Sequence, residues 1–291
     1  MSIQCIYNQS AAGFLSLNEE HLLKNESLNN IILGRTQSLI QQRYMGKEPL
    51  FFHLVHNEKV IGQAIRTHPH KPLIISDMEA KALSILAHTL KAMEIKLISV
   101  GGPHIASQSF AKYWGQYRGK RNQLTLRQAV YEVSKVIMPD HNQGLMLLAT
   151  EEHETIVFEF LLGFIHDCFP HDPHPQKRAR EMCIRHLHNQ SLFLWKNVDQ
   201  HIVSMAAVVR ESKNASTISL VYSPPSFRGL GYARRLVATL SQAQLDEDKS
   251  YCNLLADLDN PTSNSMYQKI GYQNIGEFHH YAFHSLLNHV P

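Results

Sequence analysis

The stretch "ISLVYSPPSFRGLGYARRLVATL", residues 218–240, constrains the fold more than any other part of the chain. It begins with apolar residues typical of a β-strand, and two prolines then end that strand. Two glycines follow, and the apolar residues after them recur at helical spacing, at Ala233, Leu236, Val237 and Leu240. The stretch therefore predicts a strand, a tight loop and a helix that packs one face against a sheet.

The loop before this helix has the chemistry of an anion site. The N–H groups in the first turn of a helix have no intrahelical partner, and the helix dipole favours a negative charge there. Gly229 and Gly231 remove side chains that would keep an anion at a distance. Arg228 adds a guanidinium, whose fork geometry suits phosphate oxygens. We interpret the loop as a pyrophosphate site.

Two common phosphate-binding patterns do not fit this loop. The dinucleotide fingerprint G-x-G-x-x-G fails because Arg234 stands where the third glycine belongs. The Walker pattern fails because no Gly-Lys pair is followed by Ser or Thr. The pattern that fits is R-x-x-G-x-A, at residues 228–233.

This segment resembles the acyl-CoA pyrophosphate loop of the GNAT acetyltransferase superfamily, whose pattern is Q/R-x-x-G-x-G/A. GNAT domains also carry a downstream pattern, N-x-x-x-x-x-x-Y-x-x-x-G-[FY], which Asn260, Tyr267, Gly271 and Tyr272 match at the expected distance. The resemblance covers residues 217–283. The first half of the chain lacks R-x-x-G-x-A and resembles the extension found in a bacterial subgroup of predicted two-domain acetyltransferases.

Both halves of the chain show one order of predicted elements: hairpin, strand, helix, strand, helix and strand. In the first half, two helices separated near Asn29 and Gly34 precede a hairpin that turns at residues 57–59. Taken with the resemblance, this order implies an α/β (α+β) fold with two GNAT-like domains, each a mixed, mostly antiparallel twisted sheet flanked by helices. The degenerate N-terminal domain is expected at residues 1–138 and the catalytic C-terminal domain at residues 143–291.

The resemblance implies direct transfer of an acyl group, in particular acetyl, from acetyl-CoA to an amine in a ternary complex. Backbone N–H groups of the loop would bind the pyrophosphate, and the preceding strand would bind the pantetheine arm. Tyr267 would protonate the leaving thiolate, because a phenol (pKa about 10) is a suitable acid for a thiolate (about 8.5). The residues expected to bind the cofactor are Leu220, Val221, Tyr222, Arg228, Gly229, Leu230, Gly231, Tyr232, Ala233, Asn260 and Asn264.

The attacking amine must lose a proton, and a carboxylate acting directly or through water is the usual base. The candidates are Glu159 on a predicted helix and Asp257 at a strand end. The competing interpretations are an exposed Glu159 and an Asp257 that caps the turn before Asn260. The sequence does not select between these candidates.

A rival function is a non-catalytic module that binds acyl-CoA or a partner and acts as a sensor. The presence of both Arg228 and Tyr267 favours the enzyme. The histidine-rich run "HDCFPHDPH", residues 166–174, has no zinc-site spacing, so we interpret it as a polar loop at the rim of the acceptor pocket. No metal is expected.

Composition excludes several other classes. The net charge of +3 is too small to indicate nucleic-acid binding, and no aromatic residues alternate with the basic run at residues 177–180. No stretch approaches the length of apolar chain that crosses a bilayer, and the N-terminus does not resemble a secretory signal. Four scattered cysteines favour a reducing compartment, so we expect a cytoplasmic protein. The acceptor amine, the acyl chain length and the oligomeric state have no readable signal.

Overall fold

The computed structural model describes residues 2–42, 46–140 and 144–285. Within these ranges the chain forms a mixed α/β architecture, as predicted. Short 3-10 helices at Glu151–His153 and Pro225–Phe227 accompany the main elements. These elements are, in chain order, β1 (Gln4–Asn8), α1 (Ala11–Leu23), α2 (Asn30–Ile40), β2 (Leu50–His56), β3 (Lys59–Arg66), β4 (Leu73–Ile75), α3 (Ala80–Ala92), β5 (Ser99–Pro103), α4 (His104–Arg118), β6 (Lys120–Val133), β7 (Leu145–Leu148), α5 (Glu154–Cys168), α6 (Pro175–His188), β8 (Leu192–Lys196), β9 (Ile202–Glu211), β10 (Ala215–Tyr222), α7 (Tyr232–Asp246), β11 (Tyr251–Asp257), α8 (Pro261–Ile270) and β12 (Gln273–Ser285).

The chain divides into two compact units that are interleaved along the sequence. The first comprises the described residues of 1–130, 255–260 and 274–291, and the second those of 131–254 and 261–273. The predicted domains are contiguous segments of the chain. In the structure, the last strand, β12, belongs to the first unit because it pairs with β5. Residues 141–143 of the predicted boundary lie outside the described residues. The limits 1–138 and 143–291 therefore stay a prediction about where the catalytic part begins.

In the first unit the strands follow the order β1-β2-β3-β4-β5-β12-β6. Neighbours from β1 to β4 are antiparallel, β4 and β5 are parallel, and β12 is antiparallel to β5. Helices cover both faces. Phe51 packs in the core with α1 and α2, and its neighbour Phe52 packs in the core with α3 and α4. Two covered faces explain why apolar residues of β2 occur on both faces of the strand rather than on one.

The two N-terminal helices separate earlier than Gly34. α1 ends at Leu23 and α2 begins at Asn30, and the amide Nδ2 of Asn29 donates to the carbonyl of Leu22 at 2.9 Å. Gly34 is buried inside α2, so the prediction that it breaks the helix is wrong. A glycine costs a helix only about 1 kcal/mol, which tertiary burial can outweigh. The hairpin turn is confirmed, at two residues with φ of 50° and 63°, Asn57 and Glu58.

In the second unit the strands follow the order β11-β10-β9-β8-β7. Strands β7 to β10 are antiparallel neighbours, and β10 pairs with β11 in parallel. α5 and α6 share one core with side chains of β8 and β9, and α7 contacts β8, β9 and β10. The predicted packing face of α7 is confirmed, since Leu236, Val237 and Leu240 are buried and Ala233 is half-buried.

Two further observations concern the whole described chain. No helix in residues 2–42, 46–140 and 144–285 has both the length and the apolar character that crossing a membrane requires. The four cysteines, Cys5, Cys168, Cys183 and Cys252, are free thiols.

Candidate functional site

Strands β10 and β11 pair only at their beginnings. The paired residues are Ala215 with Tyr251, Ser216 with Cys252, and Thr217 with Asn253. β10 continues to Tyr222, and the described structure contains no further pairing of β10 with β11. One backbone edge of the C-terminal half of β10 is therefore left for another extended group, in the way that a peptide adds to a sheet edge.

β10 contains a bulge that the sequence did not predict. Ser219 pairs with Ala207 and Tyr222 pairs with Met205, so three steps along β10 correspond to two steps along β9. At this bulge Leu220 adopts a left-handed conformation, with a φ of 56°. A buried branched residue with positive φ is unfavourable, and such conformations cluster at functional sites. Nothing in the residue types signals this bulge, because the position carries no glycine.

The side chain of Tyr222 points toward α5. Its ring packs edge-on against Phe160 with centroids 5.9 Å apart. A Cβ placed on Gly163 would contact the Tyr222 hydroxyl and would lie 2.6 Å from its Cζ, so glycine leaves the space that the phenol fills. The guanidinium of Arg228 lies 5.5 Å from the ring centroid. Burial raises the pKa of Tyr222, which keeps the phenol neutral.

The glycine loop is open and needs glycine for its backbone. Gly229 and Gly231 have φ of 77° and 78°, in the left-handed region. A Cβ on Gly229 would meet no atom within 4 Å, and the nearest atom to a Cβ on Gly231 is Nη1 of Arg235 at 3.4 Å. The first backbone hydrogen bond of α7 runs from Arg235 N to Gly231 O, at 3.1 Å. In the described chain no backbone carbonyl accepts from the N–H groups of residues 229–233, which is the arrangement that an anion requires.

The loop arginines are engaged within the protein. Arg228 donates from Nη2 to Oδ2 of Asp167 at 2.6 Å and from Nε to the carbonyl of Ser223 at 3.0 Å. Arg235 donates from Nη1 to the carbonyl of Leu230 at 2.9 Å. The sequence alone predicts Arg228 to be a cation available to phosphate, without this carboxylate partner. Sequence reasoning missed Asp167, although it stands in the histidine-rich run at residues 166–174.

Tyr267 lies on α8, which has the predicted ends. Pro261 is its first residue, and Gly271, just beyond it, has a φ of 105°. The Tyr267 side chain is buried, and its ring lies 5.9 Å from the ring of Tyr272 and 6.1 Å from the ring of Tyr131. Burial raises the pKa of Tyr267 well above its usual value, and the sulfur of Cys168 raises it further. The phenol therefore stays protonated at neutral pH.

The last turn of α5 joins the loop to this tyrosine. Asp167 binds Arg228 of the loop, and its neighbour Cys168 is close enough to Tyr267 to affect the phenol's pKa. The last turn of α5 therefore binds the candidate anion loop and lies near the candidate acid. The sequence did not predict this connection, because it depends on how α5 packs.

The remaining predicted residues are more exposed. Asn260 is exposed, its N–H donates to the carbonyl of Asp257 at 3.1 Å, and Asn264 is half-buried in the first turn of α8. Oδ1 of Asp257 accepts from the N–H of Asp259 at 2.9 Å, so this carboxylate stabilises the turn before α8. Glu159 is exposed on α5. Both carboxylates are thus accessible to solvent.

Comparisons with known proteins agree with this geometry. A family model described as FR47-like protein matches residues 198–282, a range that contains β10, the glycine loop and α8. The chain is also similar to a GCN5-related N-acetyltransferase from Sphaerobacter thermophilus, with a TM-score of 0.58, 12% identity and coverage of 95% of this chain and 94% of that one. The protein has the GNAT fold. A search of curated proteins gives no sequence match.

Two further structures bear on the GNAT architecture of the whole chain. A GNAT-family acetyltransferase from Colwellia psychrerythraea matches with a TM-score of 0.56 and 10% identity over 98% of this chain and 100% of that one. A tandem GNAT protein from the clavulanic acid biosynthesis pathway matches with a TM-score of 0.55 and 8% identity over 96% of this chain and 98% of that one. The resemblance to the GNAT superfamily and the prediction of two GNAT-like domains are thus confirmed.

Proposed function

We propose that this protein is an acyl-CoA-dependent N-acyltransferase that moves acetyl from acetyl-CoA to a primary amine. The observation that carries the proposal is one arrangement in the second unit. The last turn of α5 lies beside both an open glycine loop at a helix N-terminus and a buried, protonated Tyr267. The GNAT fold supports the general activity, an acetyltransferase, and the acetyl donor and amine acceptor belong to the proposal.

In the proposed complex, the pyrophosphate accepts hydrogen bonds from the N–H groups of residues 229–233. Arg228 contributes its guanidinium, either while still paired with Asp167 or after exchanging that partner for phosphate oxygen. The pantetheine arm extends along the free edge of β10, at Leu220, Val221 and Tyr222. Asn260 and Asn264, which the resemblance includes among the cofactor-binding residues, would contact the cofactor near its thiol arm.

The proposed chemical step is direct attack of the neutral amine on the thioester carbonyl. The N–C bond forms as the C–S bond breaks, and the thiolate takes the phenolic proton of Tyr267. The nitrogen loses its extra proton to water and then to a carboxylate, for which Glu159 and Asp257 are the predicted candidates. The Tyr267 phenol regains a proton from solvent when the thiol leaves. Burial keeps the Tyr267 phenol protonated, and the raised pKa also makes it a weaker acid, so its proton moves only as negative charge develops on the sulfur.

The test combines binding with turnover in the full-length protein. Calorimetry measures the affinity for CoA, and a thiol-release assay follows acetyl-CoA consumption with a panel of amines: amino acids, polyamines, amino sugars and a lysine peptide. We expect saturable CoA binding and amine-dependent thiol release with at least one class. Binding without release from any amine would favour the rival function, an acyl-CoA sensor. Absence of CoA binding would contradict both.

A further inference from the structure

Three side chains of the first unit converge, and none of them belongs to the proposed acyl-transfer site. His104, Glu277 and His279 offer ligand atoms that all lie within 4.8 Å of one another. The strand register explains the convergence: Phe278 pairs with Pro103 and His279 with Gly102, so the next step places Glu277 beside His104. Glu277 and His279 are two residues apart on β12 and share one face of the strand.

The distances approach those of a metal site. Nε2 of His279 lies 2.8 Å from Oε2 of Glu277, and Nδ1 of His104 lies 3.9 Å from the same oxygen. Around a zinc ion bound at about 2.0–2.2 Å in tetrahedral geometry, ligand atoms stand roughly 3.3–3.6 Å apart. The two imidazole rings are stacked, with centroids 4.1 Å apart and planes at 29°. His104 is the first residue of α4 and its side chain is 45% exposed, so it is the ligand that turns to complete the site.

The chemistry of the three groups suits a transition metal. Two imidazoles and one carboxylate form a ligand set that is used for zinc and for other first-row divalent ions. His279 is buried on β12, and a metal ion binds an imidazole in its neutral form. Glu277 and His104 are part-exposed, which leaves a route for the ion and positions for water.

We propose that His104, Glu277 and His279 form a binding site for a divalent first-row transition metal ion such as Zn²⁺. This proposal departs from our expectation, drawn from the sequence, that the protein binds no metal. That expectation rests on the spacing of the run at residues 166–174. A single sequence does not reveal that β12 pairs with β5 and so reaches the start of α4.

The surroundings set the expected affinity. Nδ1 of His279 is buried and has no hydrogen-bond partner in the described structure, so it lacks the acceptor that usually orients a metal-bound histidine. Loss of such a partner typically costs 10- to 100-fold in metal affinity. Two of the three ligands are also part-exposed. We therefore expect a dissociation constant in the micromolar range rather than the nanomolar range.

The test is a Zn²⁺ titration of the tag-free, full-length protein by calorimetry, repeated with Co²⁺ to read coordination from its visible absorption. The variants are His104→Ala and Glu277→Gln, which change part-exposed side chains and leave the buried His279 in place. A matched control replaces another close histidine pair, His68 and His70, whose ring centroids lie 5.4 Å apart, by alanine.

We expect one equivalent of Zn²⁺ in the wild type, at least tenfold weaker binding in each single variant, and unchanged binding in the His68→Ala, His70→Ala control. Two results would overturn the proposal. One is no saturable binding in the wild type. The other is binding that survives both single variants or is lost equally in the control, because it would then come from the other surface histidines. Circular dichroism of the single variants distinguishes lost ligands from a lost fold.

Discussion

Arg228 and Asp167 form an ion pair, with Nη2 of Arg228 2.6 Å from Oδ2 of Asp167. The pair connects the glycine loop to the last turn of α5. Both side chains are 47% exposed, so the pair contributes at most about 1 kcal/mol to stability. Its greater consequence is electrostatic, because the carboxylate neutralises a cation beside the open loop. A bound pyrophosphate would compete with Asp167 for the same guanidinium.

Replacing Asp167 with Asn is therefore expected to tighten CoA binding by about threefold, with little change in the free energy of unfolding. Calorimetry at low and high salt measures the effect, which should shrink as salt screens the loop. Asp246→Asn makes the same change of charge at the far end of α7 and should leave CoA affinity unchanged. Weaker CoA binding in Asp167→Asn would instead show that the carboxylate positions Arg228 for the phosphate.

Replacing Gly229 with Ala should cost about 1–2 kcal/mol of unfolding free energy, because its φ is 77°, and should also weaken CoA binding at least tenfold. Gly119→Ala is the matched control. Gly119 also has a positive φ, 56°, and a Cβ there would likewise meet no atom within 4 Å, but it ends α4 in the first unit. Denaturant unfolding and calorimetry should show similar destabilisation of both variants and loss of CoA affinity in Gly229→Ala alone. Equal CoA affinities of the two variants would show that the glycine loop is not part of the CoA-binding site.

Replacing Gly163 with Ala should destabilise the protein by about 1–3 kcal/mol, although the same change in an exposed helix stabilises by about 1 kcal/mol. The new Cβ would contact the Tyr222 hydroxyl and displace the ring from Phe160. Tyr222→Leu removes the phenol, so the two substitutions should be strongly non-additive in a double-mutant cycle measured by denaturant unfolding. Additive free energies would mean that α5 shifts to accept the Cβ.

Replacing Tyr267 with Phe should lower kcat by about 10²-fold, the usual range for a lost general acid, and leave KM for acetyl-CoA nearly unchanged. The ring contacts with Tyr131 and Tyr272 remain, so unfolding free energy should change by less than about 1 kcal/mol. Tyr272→Phe is the control. It removes a buried hydroxyl that is 2.8 Å from Oγ of Ser241, and it should reduce stability more than kcat. Unchanged thiol-release kinetics in Tyr267→Phe would show that Tyr267 does not protonate the thiolate.

Acid should destabilise the fold through His186. Its ring is buried, Nδ1 lies 2.8 Å from Oγ of Ser191, and burial lowers the pKa to about 4, with a smaller effect from the charge of Arg185. Between pH 6.5 and 4 the unfolded chain binds a proton at this residue that the native protein does not bind, so stability falls as pH falls, by up to about 3 kcal/mol. Denaturant unfolding at pH 7, 6 and 5 measures the slope, which should be smaller in His186→Gln. Equal slopes would assign the acid sensitivity to other groups.

Features that depend on neighbouring residues in the chain were predictable from the sequence. The glycine loop at residues 228–233 was predictable because its backbone needs conformations that only glycine adopts easily. The ends of α8 were predictable from Pro261 and Gly271. The apolar spacing of α7 likewise predicted which face is buried, because a helix repeats every 3.6 residues.

Features that depend on distant packing were not predictable. Asp167 meets Arg228 only because α5 packs on β10, and no spacing rule relates the two positions. β12 returns to the first unit because it pairs with β5, whereas the end of a chain is ordinarily assigned to the domain that precedes it. The convergence of His104 with Glu277 follows from that same pairing. Pairing between distant strands is set by the whole fold, so single-sequence patterns do not reveal it.

The bulge at Leu220 has a consequence for how this site tolerates changes in length. Side chains on a strand alternate between the two faces, yet Ser219 and Tyr222, an odd number of residues apart, pair with Ala207 and Met205 on one face. The single extra residue thus reverses the phase of the strand and brings the Tyr222 phenol to the side of Phe160 and Gly163. Removing one residue between Ser219 and Tyr222 would restore a regular two-residue step, so the phenol would stay opposite Met205 on the same side, but the left-handed conformation at Leu220 would be lost. A shortened segment would thus keep the phenol in place and would change only which backbone groups reach the free edge of β10.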